Sequence, residues 1–276
     1  MSAVEQRPIL IAPSSGWRAI DLHEVWEFRE LLYILVWRDI KVRYRQTLLG
    51  VVWVVAQPLL TALIFTVLFN RVGKIDAGAV PYPLFVMVAL VPWSFFSAGV
   101  SASSNSLIGS SHLISKVYFP RVIVPAAAVL SGFVDMAVTL GLALVMAAVY
   151  RLHIGPEIAF LPVAILLCAL FAFGVGLWLS ALNVEYRDVR VVIPFMLQLW
   201  MYATPVVYPL RLVPERYRWI AAINPMTPIV ESFRVSIFGG VFPWSALGYS
   251  VVVTLVVLTG GAFYFRRMER VFADVL

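Results

Sequence analysis

The strongest constraint in this sequence is a series of long runs without charged side chains. Residues 46–70, 77–115, 158–184, 191–210 and 235–265 contain no Asp, Glu, Lys or Arg, and residues 122–150 contain only Asp135. About 20 helical residues cross the hydrocarbon core of a bilayer, where a helix satisfies its own backbone. We therefore predict an all-α polytopic membrane protein with six transmembrane helices, near 48–70, 84–106, 122–150, 160–183, 191–209 and 245–265.

The composition agrees with a membrane protein. Apolar residues make up 62% of the chain and charged residues 13%, whereas soluble domains average roughly 45–50% and about 25%. This excludes a disordered tail and a conventional cytosolic enzyme, and the single cysteine, Cys168, excludes a disulfide scaffold. The net charge of +6 comes from 21 basic and 15 acidic residues, which is too modest to indicate a nucleic-acid partner.

Basic residues in the connections predict the orientation. With the N-terminus inside, the inner connections hold 14 Lys and Arg residues and the outer ones hold 7, and such an excess marks the cytoplasmic side. Residues 1–45 show no signal-peptide pattern. We expect a multi-pass protein with both termini in the cytoplasm, and we assign no role to the lead-in at residues 1–23.

Residues 24–46 form a second predicted unit, ahead of a membrane domain at 47–276. Val25, Phe28, Leu32, Leu35, Val36 and Val42 recur at helical spacing, while Glu24, Glu27, Arg38, Lys41 and Arg45 gather on the other side. Such an amphipathic helix cannot cross a bilayer but can lie in the headgroup plane. It is either a simple membrane anchor or a docking surface for a partner.

The segment 210–234 differs from the spans on both sides of it. Charged residues and three prolines (Pro214, Pro225 and Pro228) interrupt it, Pro209 directly precedes it, and its apolar pieces have about a dozen residues, too few to cross a bilayer. We predict two short re-entrant helices between the fifth and sixth spans.

The sequence lacks the common catalytic motifs. None of the three lysines lies in a GxxxxGK[ST] phosphate loop, and the three histidines have no metal-binding spacing. We therefore expect neither a catalytic site nor a metal site. Asp135, the single ionisable residue in the predicted spans, is either a proton or ion relay or a structural hydrogen-bond acceptor to a neighbouring span. No chain of relay partners is visible in the sequence, which favours the structural role.

Aromatic and hydroxyl side chains recur along the predicted spans. They form either a headgroup belt with core packing, or the wall of a path on which sugars make weak, repeated contacts. The candidates for the wall are Trp53, Phe65, Trp93, Phe95, Phe96, Ser97, Ser101, Trp200, Tyr202 and Tyr208.

Five stretches carry a family resemblance in order along the chain. They are WRDIKVRYRQTLLGVVWVVAQPL (37–59), YPLFVMVALVPWSFFS (82–97), LISKVYFPRVIVP (113–125), LNVEYRDVRVVIPFMLQLWMYATPVVYP (182–209) and INPMTPIVESFR (223–234). Together they resemble the membrane subunit of ATP-binding-cassette exporters for O-antigen, capsular polysaccharide and teichoic acid. The resemblance implies a homodimer of permeases in the bacterial inner membrane and a lipid-linked polysaccharide as the substrate. It also implies two separate cytoplasmic subunits that bind ATP and Mg.

The same resemblance implies roles for two groups of residues. The resemblance implies that two sets of residues contact the ATPase. They are the helix residues Trp37, Arg38, Asp39, Lys41, Arg43, Tyr44 and Arg45 and the loop residues Lys116, Val117, Tyr118, Phe119, Pro120 and Arg121. The resemblance also implies that residues 210–240 form an external gate, which includes Arg211, Arg216, Arg218, Glu231 and Arg234.

Two loops carry hypotheses from their own residues. In the 116–121 loop, Tyr118, Phe119 and Pro120 form either an apolar knob rimmed by charge, suited to a partner's groove, or a basic turn at the membrane surface. The second loop follows the fourth predicted span and has three possible roles: it closes a cytoplasmic gate, it binds a lipid pyrophosphate, or it is a solvated loop with local ion pairs. Its mixture of acidic and basic residues favours the gate. Its residues are Glu185, Tyr186, Arg187, Asp188 and Arg190.

We thus expect the permease subunit of a polysaccharide exporter, without an ATPase site of its own. An exporter of a lipid or drug in the same class is the first alternative. A membrane-embedded glycan-modifying enzyme and a passive scaffold are further alternatives, and the enzyme requires converging His, Asp or Glu residues that the sequence does not show.

Overall fold

The computed structural model describes residues 22–45, 50–78, 80–186 and 188–275. Gln46, Arg187 and most of the lead-in lie outside the described residues. Within these ranges the chain is built from helices joined by turns, and no strand occurs. The predicted all-α class is therefore confirmed.

The first two helices lie ahead of the membrane-crossing ones. They are α1 (Leu22–Glu27) and α2 (Arg29–Arg45), and α2 packs along α6 (Ile123–Ser131). Leu35 is buried in an apolar cluster to which Val25, Phe28 and Leu32 also contribute. Val42, predicted on the same apolar face, is instead 66% exposed, because it lies beyond the part of α2 that this cluster covers.

Five helical segments in the described part of the chain are long and apolar enough to cross a membrane. Their elements are α3 (Gly50–Phe65) with the π-helical turn Thr66–Val72, α4 (Tyr82–Gly109), α6 with α7 (Phe133–Val149), α8 (Leu161–Glu185) after the 3₁₀ turn Pro156–Phe160, and α12 (Trp244–Val275). The short helix α5 (Ser111–Ile114) follows α4. The chain is a polytopic membrane protein, as predicted.

The predicted fifth span, 191–209, falls on a shorter helix, α9 (Val189–Ala203). Its 15 residues extend over about 22 Å, which is less than the roughly 30 Å of hydrocarbon in a bilayer. The helix ends because Thr204 precedes Pro205 and takes an extended conformation (ψ 136°), as residues before proline prefer. The count of six spans therefore stays a prediction.

The centre of the fold is the packing of α8 between α4 and α12. Gly176 lies against Ser103 of α4, and Gly174 lies against the backbone of Leu258 in α12. Glycine permits this approach because its lack of a Cβ lets helix backbones come close, as is common in membrane helices. At one end of the α4 and α8 contact, Asn183 Nδ2 donates to the Ser104 carbonyl at 2.8 Å.

Two short helices lie between α9 and α12, as predicted for this segment. They are α10 (Arg218–Ile223) and α11 (Met226–Phe238), preceded by the 3₁₀ turns Leu210–Leu212 and Glu215–Tyr217. Asn224 holds the start of α11 because its Oδ1 accepts hydrogen bonds from Met226 N–H and Trp200 Nε1. Most of α11 is buried, so it packs inside the protein.

Candidate functional site

Asp135, in the first turn of α7, receives hydrogen bonds from two consecutive residues of α2. Arg43 Nη1 donates to Asp135 Oδ2 within an ion pair, and Tyr44 OH donates to Asp135 Oδ1. Arg43 Nη2 also donates to Ser131 Oγ at 3.5 Å. We call Arg43, Tyr44 and Asp135 the Asp135 cluster. Asp135 is thus a hydrogen-bond acceptor, but its partners come from α2 rather than from a neighbouring span.

The environment of Tyr44 keeps its hydroxyl protonated. Burial, followed by the hydrogen bond to Asp135, raises the pKa of Tyr44 to about 12. A neutral phenol can donate to a carboxylate, whereas a phenolate could not. Tyr44 therefore serves as a donor throughout the physiological pH range.

A cavity of about 800 Å³ lies between α3, α4 and α7. Four of the predicted path residues line it, namely Trp53, Trp93, Phe95 and Ser97, together with the polar side chains of Gln57, Thr61, Ser94 and Thr139. Arg43 and Asp135 form part of its wall. The cavity thus combines aromatic surface with hydrogen-bonding groups, and it adjoins the contact between α2 and α7.

The other predicted path residues lie outside this cavity. Phe96 is fully buried and stacks on Phe171 at 5.3 Å between ring centroids, and Trp200 meets Phe96 edge-on at 5.1 Å. These rings are core packing in the single chain. Four further candidates also lie elsewhere: Phe65 packs on Phe69, Ser101 is partly buried in α4, Tyr202 is exposed, and Tyr208 OH donates to the Tyr202 carbonyl.

A second cavity, of about 440 Å³, lies between α2, α4 and α6. Its walls include Arg38, Asp39 and Arg43 from α2 and the polar side chains Asn105, Ser106, Ser110 and Ser131. Arg38 pairs locally with Asp39 at 2.9 Å. Arg43 is shared by the two cavities, so the same side chain faces both.

The 116–121 loop presents fewer apolar side chains than predicted. Val117 and Tyr118 are 53% and 63% exposed, but Phe119 is only 4% exposed and packs in the same apolar cluster as Leu35. The prediction of an exposed knob that includes Phe119 and Pro120 is therefore wrong for these two residues, because both are buried and the Phe119 side chain is part of the core between α2, α4 and α6. Lys116 is exposed beside them.

Hydrogen bonds attach this loop to both ends of the described chain. Tyr118 OH donates to Glu24 Oε1 at 3.2 Å, and this contact adds to burial in raising the pKa of Tyr118. Arg121 N–H donates to Glu269 Oε1, and Arg121 Nη1 donates to the Glu269 carbonyl. Arg266 pairs with the same Glu269 at 2.6 Å. The loop is therefore held by α1 and the end of α12, which sequence reasoning did not predict.

The loop after α8 is open to its surroundings. Glu185, Tyr186, Asp188 and Arg190 are exposed, and Arg187 lies outside the described residues. Tyr264 of α12 donates to Glu185 Oε2 at 3.5 Å. The predicted roles of this loop as a gate or pyrophosphate site stay predictions.

The predicted external-gate residues divide into two groups. Arg211, Arg216 and Arg218 are exposed; Arg211 donates to the Asp76 carbonyl, and Arg218 pairs with Glu215. Arg234, by contrast, is buried on α11, where it pairs with Glu231 at 2.6 Å.

Two further contacts hold Arg234 against its neighbours. Its Nη2 donates to the Val206 carbonyl at 2.8 Å, and its guanidinium lies 3.7 Å from the centroid of the Phe85 ring. Sequence reasoning missed Phe85 and Val206 as partners, because both lie in runs that read simply as apolar. Arg234, paired with Glu231 of the same helix, therefore joins α11 to Phe85 of α4 in the protein interior.

Long apolar helices, an ion pair on the buried helix α11 and a partly polar cavity between the helices define a polytopic membrane protein of the transport type. Residues 30–238 match the membrane family described as ABC-2 type transporter, which is about three quarters of the chain. The chain belongs to this family.

Relatives of known role resemble the chain over most of its length. It is 28% identical over 250 residues to the O-antigen export system permease protein RfbA of Klebsiella pneumoniae, covering 90% of this chain and 95% of that protein. RfbA of Myxococcus xanthus is 29% identical over 256 residues, with 92% and 98% covered. The polysialic acid transport protein KpsM of Escherichia coli is 25% identical over 243 residues, with 84% and 91% covered.

Proposed function

We propose that this protein is the permease subunit of an ATP-driven exporter that moves a lipid-linked polysaccharide, of O-antigen or capsule type, across the bacterial inner membrane. The observation that carries this proposal is the similarity, over nine tenths of the chain, to permeases named for O-antigen export. Membrane-crossing helices and a cavity with aromatic and polar walls support it.

Energy for transport comes, in this proposal, from a separate ATPase subunit that binds ATP and Mg. The sequence supports a separate subunit because it contains no phosphate-binding loop. The exposed side chains on the predicted cytoplasmic side are suited to docking it. They include Trp37, Lys41, Val117 and Tyr118, and Lys41 Nζ lies 5.2 Å from the centroid of the Trp37 ring.

Two copies of the chain enclose the path in this proposal, with both termini in the cytoplasm. The larger cavity supplies part of the path, because Trp53 and Trp93 offer flat surfaces to sugar C–H groups and Gln57 and Ser97 offer hydrogen bonds. Weak contacts of this kind let a long polymer slide rather than stay bound.

Deletion of the gene in its native host tests the function. We expect the surface polysaccharide to disappear and its lipid-linked form to accumulate on the cytoplasmic side, measured by surface labelling and by extraction of lipid-linked glycans. The native gene on a plasmid serves as the control and should restore the surface polysaccharide. Normal surface polysaccharide in the deletion strain would contradict the proposal.

Tyr118→Ala tests docking of the ATPase. The exposed phenol is expected to supply contact area to the partner, so its removal should weaken co-purification of the ATPase by about tenfold, corresponding to about 1.4 kcal/mol. Trp219→Ala is the matched control, because Trp219 is an aromatic residue of similar exposure (59%) in α10. Equal recovery of the ATPase with both variants would remove the 116–121 loop from the docking surface.

A further inference from the structure

Asp135 joins α7 to α2, a helix that packs mainly along α6. It lies on α7, at the wall of the larger cavity, and both of its side-chain partners lie on α2, which packs mainly along α6. We propose that Asp135 is a positioning residue for transport, because it ties α2 to α7 and so transmits a displacement of α2 to the cavity wall. This inference rests on the proposed function, in which the ATPase acts on α2.

The geometry of the contact is directional. Arg43 and Tyr44 are consecutive, so their side chains leave α2 about 100° apart, yet each binds a different oxygen of one carboxylate. Ser131, at the end of α6, lies within reach of the same guanidinium. A rotation or shift of α2 therefore either moves α7 with it or breaks at least one of these hydrogen bonds, whereas apolar contacts along α6 tolerate small shifts.

The charges of the cluster are suited to this role. The side chains of Arg43 and Asp135 are 33% and 30% exposed, so the pair is neither fully solvated nor deep in the core. Hydrogen bonds between charged groups are shorter and stronger than neutral ones. Because the pair is partly buried, these hydrogen bonds hold α2 on α7 firmly enough to transmit motion. Water in the larger cavity still allows the ion pair to separate during a transport cycle.

The position of Arg43 extends the effect to both cavities. Its side chain contributes to the wall of the larger cavity between α3, α4 and α7 and to that of the smaller one between α2, α4 and α6. A shift of α2 that moves Arg43 thus changes the shape of the two cavities together. The coupling runs through Asp135 because this carboxylate anchors Arg43 to α7.

The test uses the complex of this protein with its ATPase in vesicles that contain the lipid-linked polysaccharide. ATP hydrolysis and polysaccharide export are measured in the same preparation for the native protein, Asp135→Asn, Asp135→Glu and the double variant Arg43→Gln with Asp135→Asn. Glu157→Gln is the control, because Glu157 is another carboxylate, placed after the far end of α7. The amount of assembled complex is measured for each.

We expect Asp135→Asn to lower the export per ATP hydrolysed by about tenfold, the change that corresponds to the loss of one charged hydrogen bond. Hydrolysis and assembly should stay near the native level. Asp135→Glu should restore the ratio in part, since it keeps the charge, and Glu157→Gln should behave as the native protein. The double variant should be no worse than Asp135→Asn, because both act on one contact.

A native ratio of export to hydrolysis in Asp135→Asn would overturn the inference. So would a parallel fall of export, hydrolysis and assembly in both Asp135→Asn and the double variant, since that result identifies a purely structural role. If Asp135→Asn does not assemble because Arg43 is left unpaired, the double variant decides by the same ratio. Failure of the native complex to export or to hydrolyse ATP would instead count against the proposed function.

Discussion

Replacement of Phe119 by alanine is expected to lower the stability of the protein rather than to weaken binding of a partner. The Phe119 side chain is 4% exposed and lies among Leu35, Leu107 and Ile123 in the cluster that joins α2, α4 and α6. Alanine would leave a cavity there, because helices on three sides limit how far the site can collapse. The sequence alone had suggested an exposed, partner-binding role for this side chain.

The size of the effect follows from the burial of the ring. A buried aromatic side chain has about 150–250 Å² of its own surface covered by neighbouring residues. Phe→Ala substitutions in protein cores cost about 3–5 kcal/mol of stability once the residual cavity is included. For a chain of 276 residues we expect a fall in melting temperature of about 5–15 °C, from the usual few degrees per kcal/mol.

Thermal unfolding of the purified protein in detergent measures this effect, with Tyr118→Ala as the neighbouring control. Tyr118 is 63% exposed and donates one hydrogen bond, to Glu24, so its replacement should cost no more than about 1 kcal/mol. If Phe119→Ala melted with the native protein while Tyr118→Ala melted lower, the placement of the two rings would be wrong.

Two further substitutions test packing in the membrane domain. Gly176→Ala places a Cβ 2.8 Å from Ser103 Cβ, so it should cost about 1–3 kcal/mol, whereas Gly141→Ala, with open space around the new atom, should not lower the melting temperature; equal melting of the two would refute the close contact. Arg234→Met leaves the carboxylate of Glu231 without its partner inside the protein and should cost about 3–5 kcal/mol. Arg234→Met combined with Glu231→Leu should recover most of that loss in the same melting assay, and native stability of Arg234→Met alone would contradict the structural role of this pair.

The membrane class was predictable because it depends on the length and hydrophobicity of continuous segments, which can be read directly from the sequence. Each uncharged run of 20 or more residues can be counted directly, and a bilayer admits such runs only as self-satisfied helices. The family resemblance was also predictable, since its motifs are local stretches of sequence. Residues 30–238 match the ABC-2 type transporter family, which confirms it.

The side chains whose placement could not be predicted have neighbours from distant parts of the chain. Phe119 and Tyr118 are adjacent aromatics with the same local pattern, yet one is buried and the other exposed. Phe96 and Trp93 are both apolar residues of α4, but only Trp93 reaches the larger cavity. Helix rotation and neighbouring helices distinguish them, and neither can be counted from the sequence.

The sequence alone therefore determined that the protein lies in a membrane, that it is helical and to which family it belongs, and it located five membrane-crossing helices approximately. Folding in three dimensions assigned Asp135 to partners 91 and 92 residues away, placed the Arg234 ion pair inside and moved Phe119 into the core. The reason is physical: hydrophobicity is a property of each segment, whereas a hydrogen bond or a buried ring depends on which surfaces meet. Those contacts between surfaces form only once the helices have packed.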